Sequence, residues 1–331
     1  MEEMIDAQPG LVGPILAAPQ AAVVAELVRA AAGAGEPVVL TGCGTSEHAA
    51  MAGAALLREA GVSGARARDA FEAGLDPQRD GVLIAVSHEA GTAATLAAGE
   101  AAAARDARLV LVTALPDRAP GWALALATPL RDTSWCHTVG YLSPLLALYA
   151  VAARVAGAEP DAGAAEAAVT GTLARRPELR AAAARLAGCE RLLVVASGVD
   201  EVTARELALK VEEGVHVPVT PLGVEKVLHG HLPAADARTG LVLLRADQRR
   251  AERRNRRAEQ VARAAAELEM PTVRVDAPRV AGLPPVASAL LTGAVAAQLL
   301  TLELVLAAGT NPDLIRREEP RYRAAAAAAG T

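Results

Sequence analysis

Aromatic side chains are scarce in this chain: one Phe, two Trp and three Tyr among 331 residues, 2% in all, against an apolar fraction of 52%. A core without large rings must be filled by Ala, Val and Leu, which favours helices packed closely on sheets. A surplus of positive charge is missing too. The net charge is -5, and no Lys/Arg stripe interleaved with aromatics tracks a phosphate backbone, so nucleic acid is not an expected partner. Cysteine is rare. Cys43, Cys136 and Cys189 are odd in number and lack metal-ligand spacing, which fits a reducing compartment. The opening Met1-Glu2-Glu3-Met4-Ile5-Asp6 is acidic where an export signal would be basic, so a cytoplasmic location is expected. The longest apolar stretch, residues 289–309, is interrupted by Gln298 and Glu303 and reads as a buried core helix, not a membrane span. Lysine is the scarcest charge. Of 33 basic residues, 31 are arginine, leaving only Lys210 and Lys226. An ammonium can form a Schiff base or polarise a carbonyl where a guanidinium cannot, so these two positions ask for a reason.

What is present is an alternation of short Val/Leu runs bounded by Gly with longer Ala/Leu/Glu/Arg stretches, the pattern of βαβ units around a parallel sheet. It occurs twice, and 331 residues suffice for two such cores. Strands are expected at 37–41, 65–68, 81–87 and 109–113, then at 191–197, 216–219, 240–244 and 272–276. Helices lie between them, at 140–156 and at about 285–308. The reading divides the chain into an N-terminal helical segment (1–35), a first α/β unit (36–160), a second (161–308) and a tail (309–331), with a hinge at 157–163 and one long helical stretch reaching residue 186.

Two turns look suited to an anion or a sugar. Gly42-Cys43-Gly44-Thr45-Ser46 follows an apolar strand and opens a helix, so its N–H groups and hydroxyls face a positive helix end. Ser87-His88-Glu89-Ala90-Gly91-Thr92 repeats the arrangement, with helix capping the ordinary alternative for Ser87 and Thr92. In the helical stretch 206–213, Glu206, Lys210 and Glu213 share one face. This is either a common i,i+4 ion pair or a carboxylate base beside a lysine. His229, sixteen residues beyond Glu213, and Lys226 before it are placed to converge on them. All six histidines, His48, His88, His137, His216, His229 and His231, fall in or beside expected strand-to-helix turns. His48, His88, Glu89 and His137 offer metal-binding atoms, but no pair has the spacing of a ligand motif. Neither metal nor cofactor is expected.

These residues resemble the sugar isomerase (SIS) family, in particular the isomerase half of glucosamine-6-phosphate synthase, over about residues 36–320. The turn from Gly42 to Ser46, including Gly44, Thr45 and Ser46, is similar to the family's first sugar-phosphate turn. The segment from Ser87 through His88, Glu89 and Thr92 aligns with its Ser-Gln-Ser-Gly-Glu-Thr stretch. Lys210, Glu213 and His229 match its catalytic Lys, Glu and His in spacing. The resemblance implies tandem SIS domains of flavodoxin-like, doubly wound α/β type. It implies that Glu213 shuttles a proton between C1 and C2, that Lys210 stabilises the enediol or enolamine, and that His229 opens the ring from a neighbouring subunit, hence a homodimer. His137 joins the expected substrate-binding set.

Three departures shape the expected function. No Cys-led glutaminase segment precedes the first unit, so a complete synthase is not expected. Glu89 replaces a phosphate-binding Ser and His88 a Gln, and the Glu89 carboxylate would repel a phosphate dianion. The tail lysine that forms a Schiff base in the family has no equivalent. Arg316, Arg317 and Arg321 occupy that region, leaving imine chemistry to Lys210 or Lys226, with Arg317 a possible anion partner. The expected activity is isomerisation or deamination of an amino sugar, an Amadori-type adduct or a ketose, phosphorylated or not. The alternative is a non-catalytic sugar-phosphate sensor. No membrane partner is expected.

Overall fold

Short runs of Val, Leu and Ile bounded by Gly or Pro become buried parallel strands. In the computed structural model, which describes residues 1–330, the first sheet comprises β1 (Val38–Gly42), β2 (Arg66–Asp69), β3 (Val82–Val86), β4 (Arg108–Thr113) and β5 (Ala123–Ala127), in the order β2-β1-β3-β4-β5. The second comprises β6 (Arg191–Ala196), β7 (Val219–Gly223), β8 (Thr239–Arg245) and β9 (Thr272–Asp276), in the order β7-β6-β8-β9. All pairings are parallel. The central strands β1 and β3 are buried along their length, as sheets covered on both faces require.

The helices of the first half are α1 (Glu2–Asp6), α2 (Gln8–Leu16), α3 (Gln20–Gly33), α4 (Thr45–Glu59), α5 (Ala70–Leu75), α6 (Ala93–Ala103) and α7 (Val139–Val155). Those of the second are α8 (Ala162–Leu173), α9 (Arg176–Leu186), α10 (Asp200–Gly214), α11 (Val224–Lys226), α12 (Ala251–Glu267), α13 (Pro285–Ala308) and α14 (Pro320–Ala329). The α/β architecture, with parallel sheets flanked by helices, is therefore as expected.

Several local expectations change. The strand expected at 216–219 lies instead at Val219–Gly223. Pro221 argues against a strand, yet β7 is an edge strand, where a residue without N–H is tolerated. β5 is unanticipated because Ala-Leu-Ala-Leu-Ala carries no β-branched residue. The helical stretch expected to reach residue 186 splits into α8 and α9, the second with Pro177 in its first turn. At the expected hinge, Asp161 caps α8 by accepting the N–H of Ala164 at 2.9 Å.

The apolar run 289–309 forms α13, buried continuously over residues 286–305. Among the described residues it is the one unbroken helix long and apolar enough to cross a membrane, and 94% of its most apolar window is buried inside the protein. Its two polar interruptions have partners. Glu303 pairs with Arg176 at 2.6 Å and Arg180 at 2.8 Å, while Gln298 donates to the carbonyl of Thr138 at 3.0 Å and so ties α13 to the start of α7.

Asp200 and Asp247 lock the carboxyl ends of β6 and β8 together. Asp200 accepts the N–H groups of Ala246 and Asp247, both at 2.9 Å, and Asp247 accepts that of Val199 at 3.2 Å. Burial pushes Asp200 up to about 7, the nearby Asp247 charge adds to this, and the two N–H bonds oppose it. The folded chain thus holds a proton on Asp200 between about pH 4 and pH 7 that the unfolded chain releases. This contribution to stability is full below the unfolded value and is lost as pH rises through 7. Asp200→Asn keeps an acceptor for both N–H groups and is expected to add on the order of 2 kcal/mol at pH 8 relative to pH 5. Urea unfolding at the two pH values checks it; equal slopes in variant and wild type would refute it.

Candidate functional site

The turn after β1 can form only with glycine at its start. A Cβ on Gly42 would lie 2.6 Å from the backbone carbon of Ser46, and Gly44 has φ +56°. The chain thereby enters α4 with Thr45 buried and the Ser46 hydroxyl unpartnered among the described residues. Thr45 Oγ1 donates to Glu206 Oε1 at 3.4 Å, and His48 Nδ1, one turn on, lies 2.7 Å from Glu206 Oε2. The first sheet's turn is thus tied to α10 of the second half.

The turn after β3 is held from within. Ser87 Oγ lies 3.3 Å from Thr92 Oγ1, and Thr92, the residue before α6, makes no side-chain cap. His88 faces inward as an acceptor: its Nε2 takes the N–H of Asp132 at 2.7 Å, so the ring is neutral with its proton on Nδ1. Burial chiefly, and the adjacent His137, lower His88 to about 4. Asp132 organises the 128–138 loop, since its carboxylate accepts N–H groups of Ser134 at 3.0 Å, Thr138 at 2.6 Å and Gly140 at 3.0 Å. That loop brings the His137 ring to 5.2 Å from the His88 ring. Burial holds His137 below the ordinary imidazole range, against the pull of Asp132. Glu89 is not a bare charge, because Arg131 Nε donates to it at 2.8 Å. The repulsion expected of Glu89 toward a phosphate is therefore offset by a neighbour on another loop.

Glu206, Lys210 and Glu213 do share one face of α10. Lys210 Nζ lies 2.5 Å from Glu213 Oε2 and 3.8 Å from Glu206 Oε1; the side chains of Lys210 and Glu206 are fully enclosed, while that of Glu213 is 21% exposed. Burial alone would lower the Lys210 ammonium, but Glu206 and Glu213 outweigh it and hold it above the usual lysine range. Enclosed between two carboxylates, Lys210 holds its proton more firmly than a free lysine, which disfavours the free amine that an imine needs. Burial raises Glu213 above the ordinary carboxylate range even though Lys210 pulls it down. The thiol of Cys136 is enclosed behind this group, 3.7 Å from the Lys210 carbonyl, and burial pushes it up to about 12, so it is inert.

The structure does not bring His229 to this cluster. Its side chain is 73% exposed and its Nε2 lies 3.4 Å from Glu225, beside a kink where Gly230 has φ +123°. Lys226 is exposed on the same outer segment. The expected convergence of both with Glu213 fails within one chain: β7 starts beside the end of α10, where Val219 donates its N–H to Glu212 at 3.0 Å, and the chain reaches α11 and the His229 kink only after the strand's other end. Arg317 stacks over Trp135 with Cζ 4.0 Å from the ring centroid, and the backbone N–H of Trp135 donates to the backbone carbonyl of Asp313 at 3.1 Å, so the tail docks on the loop bearing His137. Among the described residues no group of three or more His, Cys, Asp or Glu is arranged to hold a metal ion. His48, His88 and Glu89 are instead engaged by Glu206, Asp132 and Arg131.

Sequence reasoning missed His48 as a partner of Glu206, and Arg131 and Asp132 altogether. The cluster Asp132-Thr133-Ser134 was a usable sign of a side-chain-anchored turn.

No family model matches the chain, and no curated protein matches it. Solved structures do. The C-terminal domain of glucosamine-fructose-6-phosphate aminotransferase from Francisella tularensis superimposes with a TM-score of 0.76 at 18% identity, covering 95% of this chain and 97% of that one. Tagatose-6-phosphate ketose/aldose isomerase from Escherichia coli gives 0.73 at 18% identity, covering 94% of each chain. Glucosamine-6-phosphate deaminase from Thermotoga maritima gives 0.67 at 19% identity over 84% of this chain and 88% of that one. At such identities the likeness is one of fold.

Proposed function

We propose that this protein is an enzyme of the sugar isomerase type, with two tandem SIS units, that moves a proton between C1 and C2 of an open-chain sugar or sugar phosphate. The observation that carries the reading is the α10 triad, in which a partly exposed carboxylate of raised proton affinity is backed by an enclosed ammonium paired with a second, buried carboxylate. The solved folds it resembles, among them an isomerase and a deaminase of sugar phosphates, support the class.

In this reading Glu213 takes the C2 proton of an aldose, the electron pair forms the C1–C2 double bond, and the C1 carbonyl oxygen becomes an oxyanion. The hydroxyl proton on the C2 oxygen passes to the C1 oxygen, and Glu213 returns its proton to C1 as the C2 oxygen becomes a carbonyl. A carboxylate of raised pKa is the stronger base for a carbon-bound proton. Lys210 works from behind Glu213, fixing its orientation and placing positive charge beneath the developing oxyanion. Its enclosed Nζ makes it a positioning residue here, not the direct oxyanion contact first expected. The Ser46 hydroxyl and the Ser87–Thr92 pair would hold the sugar's anionic or hydroxyl end at the start of α4 and α6. An amino sugar would pass through an enolamine by the same transfer, followed by hydrolytic loss of ammonia. Ring opening by His229 requires a second copy of the chain, so the active form in this reading is a homodimer.

One observation favours a binding protein without turnover: Lys210 is enclosed and saturated by two carboxylates, and His229 stands elsewhere. Deuterium exchange separates the readings. A panel of free and phosphorylated ketoses, aldoses and amino sugars is incubated in deuterated water, and exchange at C1 or C2 is expected with at least one. A ligand that binds without any exchange would leave the sensor reading standing.

The Glu89–Arg131 pair gives a further test. Arg131→Ala uncovers the Glu89 charge, and is expected to weaken a phosphorylated sugar about tenfold more than its free counterpart. Equal weakening of both in binding titrations would remove Arg131 from phosphate recognition.

A further inference from the structure

The two sheets share one strand order over four strands, β2-β1-β3-β4 matching β7-β6-β8-β9. The carboxyl ends of β6 and β8 are therefore the topological counterpart of the candidate site, where an open α/β sheet takes its ligands. A pocket of 340 Å³ lies there, lined by Arg58 and Glu59 of α4, Gly198, Val199 and Val202 at the start of α10, and Arg249 after β8. The backbone repeats as well. Gly198, two residues beyond β6, has φ +70° where Gly44, two residues beyond β1, has +56°.

The side chains have changed sense. Hydroxyls dominate the first turn pair, whereas guanidinium groups stand at the second. Arg58 donates Nη1 to the Ala65 carbonyl at 2.8 Å and has no carboxylate partner among the described residues. Arg249 gives Nε and Nη2 to Asp247, at 2.9 and 2.7 Å. Both keep N–H donors over, beside the N-terminus of α10, whose dipole favours negative charge and whose Val199 N–H is taken by Asp247. The acidic groups nearby are already committed. Asp247 is also paired with Arg254 at 2.9 Å, Asp200 holds the β8 turn, and Glu59 accepts the N–H of Val286 with both oxygens, at 3.0 and 3.1 Å. No lysine backs Glu59, so the pocket lacks the carboxylate–ammonium pair of the first site. It is equipped to hold a ligand, not to move a proton.

We propose that this pocket is a second ligand site that takes a phosphate-bearing small molecule on Arg58, Arg249 and the start of α10. The volume suits a phosphorylated metabolite of hexose size. Because α4 and α10 line both pockets from opposite ends, the occupant touches the two helices that carry Thr45, His48, Glu206, Lys210 and Glu213.

Calorimetric titration with fructose 6-phosphate and with inorganic phosphate tests the site on the full chain. Wild type is expected to bind two equivalents of the hexose phosphate. Arg58→Glu is expected to weaken one of them by at least about tenfold, as loss of a charged hydrogen bond implies, while Arg58→Lys stays within about threefold. Unfolding midpoints of both variants confirm that they are folded. The paired change Ser46→Ala/Thr92→Ala should leave the Arg58-dependent equivalent intact. Affinities unmoved by Arg58→Glu, whether wild type binds one equivalent or two, would overturn the proposal and leave the first site untouched. If Ser46→Ala/Thr92→Ala changes nothing while Arg58→Glu removes an equivalent, the second pocket stands and the reading of the first site falls.

Discussion

Glu213→Gln is expected to lower deuterium exchange at C1 and C2 of a responsive sugar by about 10²–10⁴-fold, the range that a positioned general base supplies. Glutamine keeps the side chain's shape and an oxygen toward Lys210, so the fold should survive; thermal unfolding checks this. Wild-type exchange should itself depend on pH through this group. The base must be ionised, and burial has moved Glu213 above the ordinary carboxylate range. Exchange is therefore expected to fall on the acid side at a pH above that of a free glutamate. The main competitor for the role is His137, which burial keeps neutral near pH 7 and which stands within electrostatic reach of Lys210 and Glu206. Exchange in Glu213→Gln within about threefold of wild type, well short of the loss expected of a general base, would transfer the role to it.

Lys210→Met should have the largest effect on stability. The ammonium lies between two carboxylates, one fully enclosed and one 21% exposed, and its removal leaves uncompensated charge in the interior. Breaking such a buried pair costs about 3–5 kcal/mol. Because the lysine is held charged above its usual range, this contribution is present across the working pH range and is lost only under strongly alkaline conditions. Adding Glu206→Gln to Lys210→Met removes one orphaned charge and should recover part of the loss in urea unfolding. A purely structural lysine predicts no more than that. A lysine that tunes Glu213 also predicts that the acid limb of the exchange profile moves to higher pH in Lys210→Met, since Glu213 loses the cation that lowers its proton affinity. An unmoved limb in folded protein would confine Lys210 to a structural role.

The strands were legible where the chain is simplest. Val82–Val86 and Arg191–Ala196 are apolar runs between Gly or Pro signals, and such runs have few alternatives in a parallel sheet. Legibility failed where local and tertiary preferences disagree, at the alanine-rich β5 and at β7, whose proline is acceptable only because the strand is an edge. At the site, residues on one element were readable. The spacing of Glu206, Lys210 and Glu213 places them on one helical face whatever the fold does around them. Residues that act across elements were not. Nothing in the order of residues pairs His48 with Glu206 at a separation of 158, or Arg131 with Glu89 at 42. His229 shows the converse, because a spacing that repeats a known pattern places it on an outer edge once the chain is folded.

The scarcity of aromatic residues has a practical side at the stack of Arg317 on Trp135. The chain has two tryptophans, and their surroundings differ. Trp122 packs against the first half's core, while Trp135 is 49% exposed beneath the tail guanidinium. Intrinsic fluorescence therefore has one reporter inside the fold and one at the tail's docking point, two residues from His137. Selective quenching of the second by a water-soluble agent would read whether the tail is seated, without any attached label.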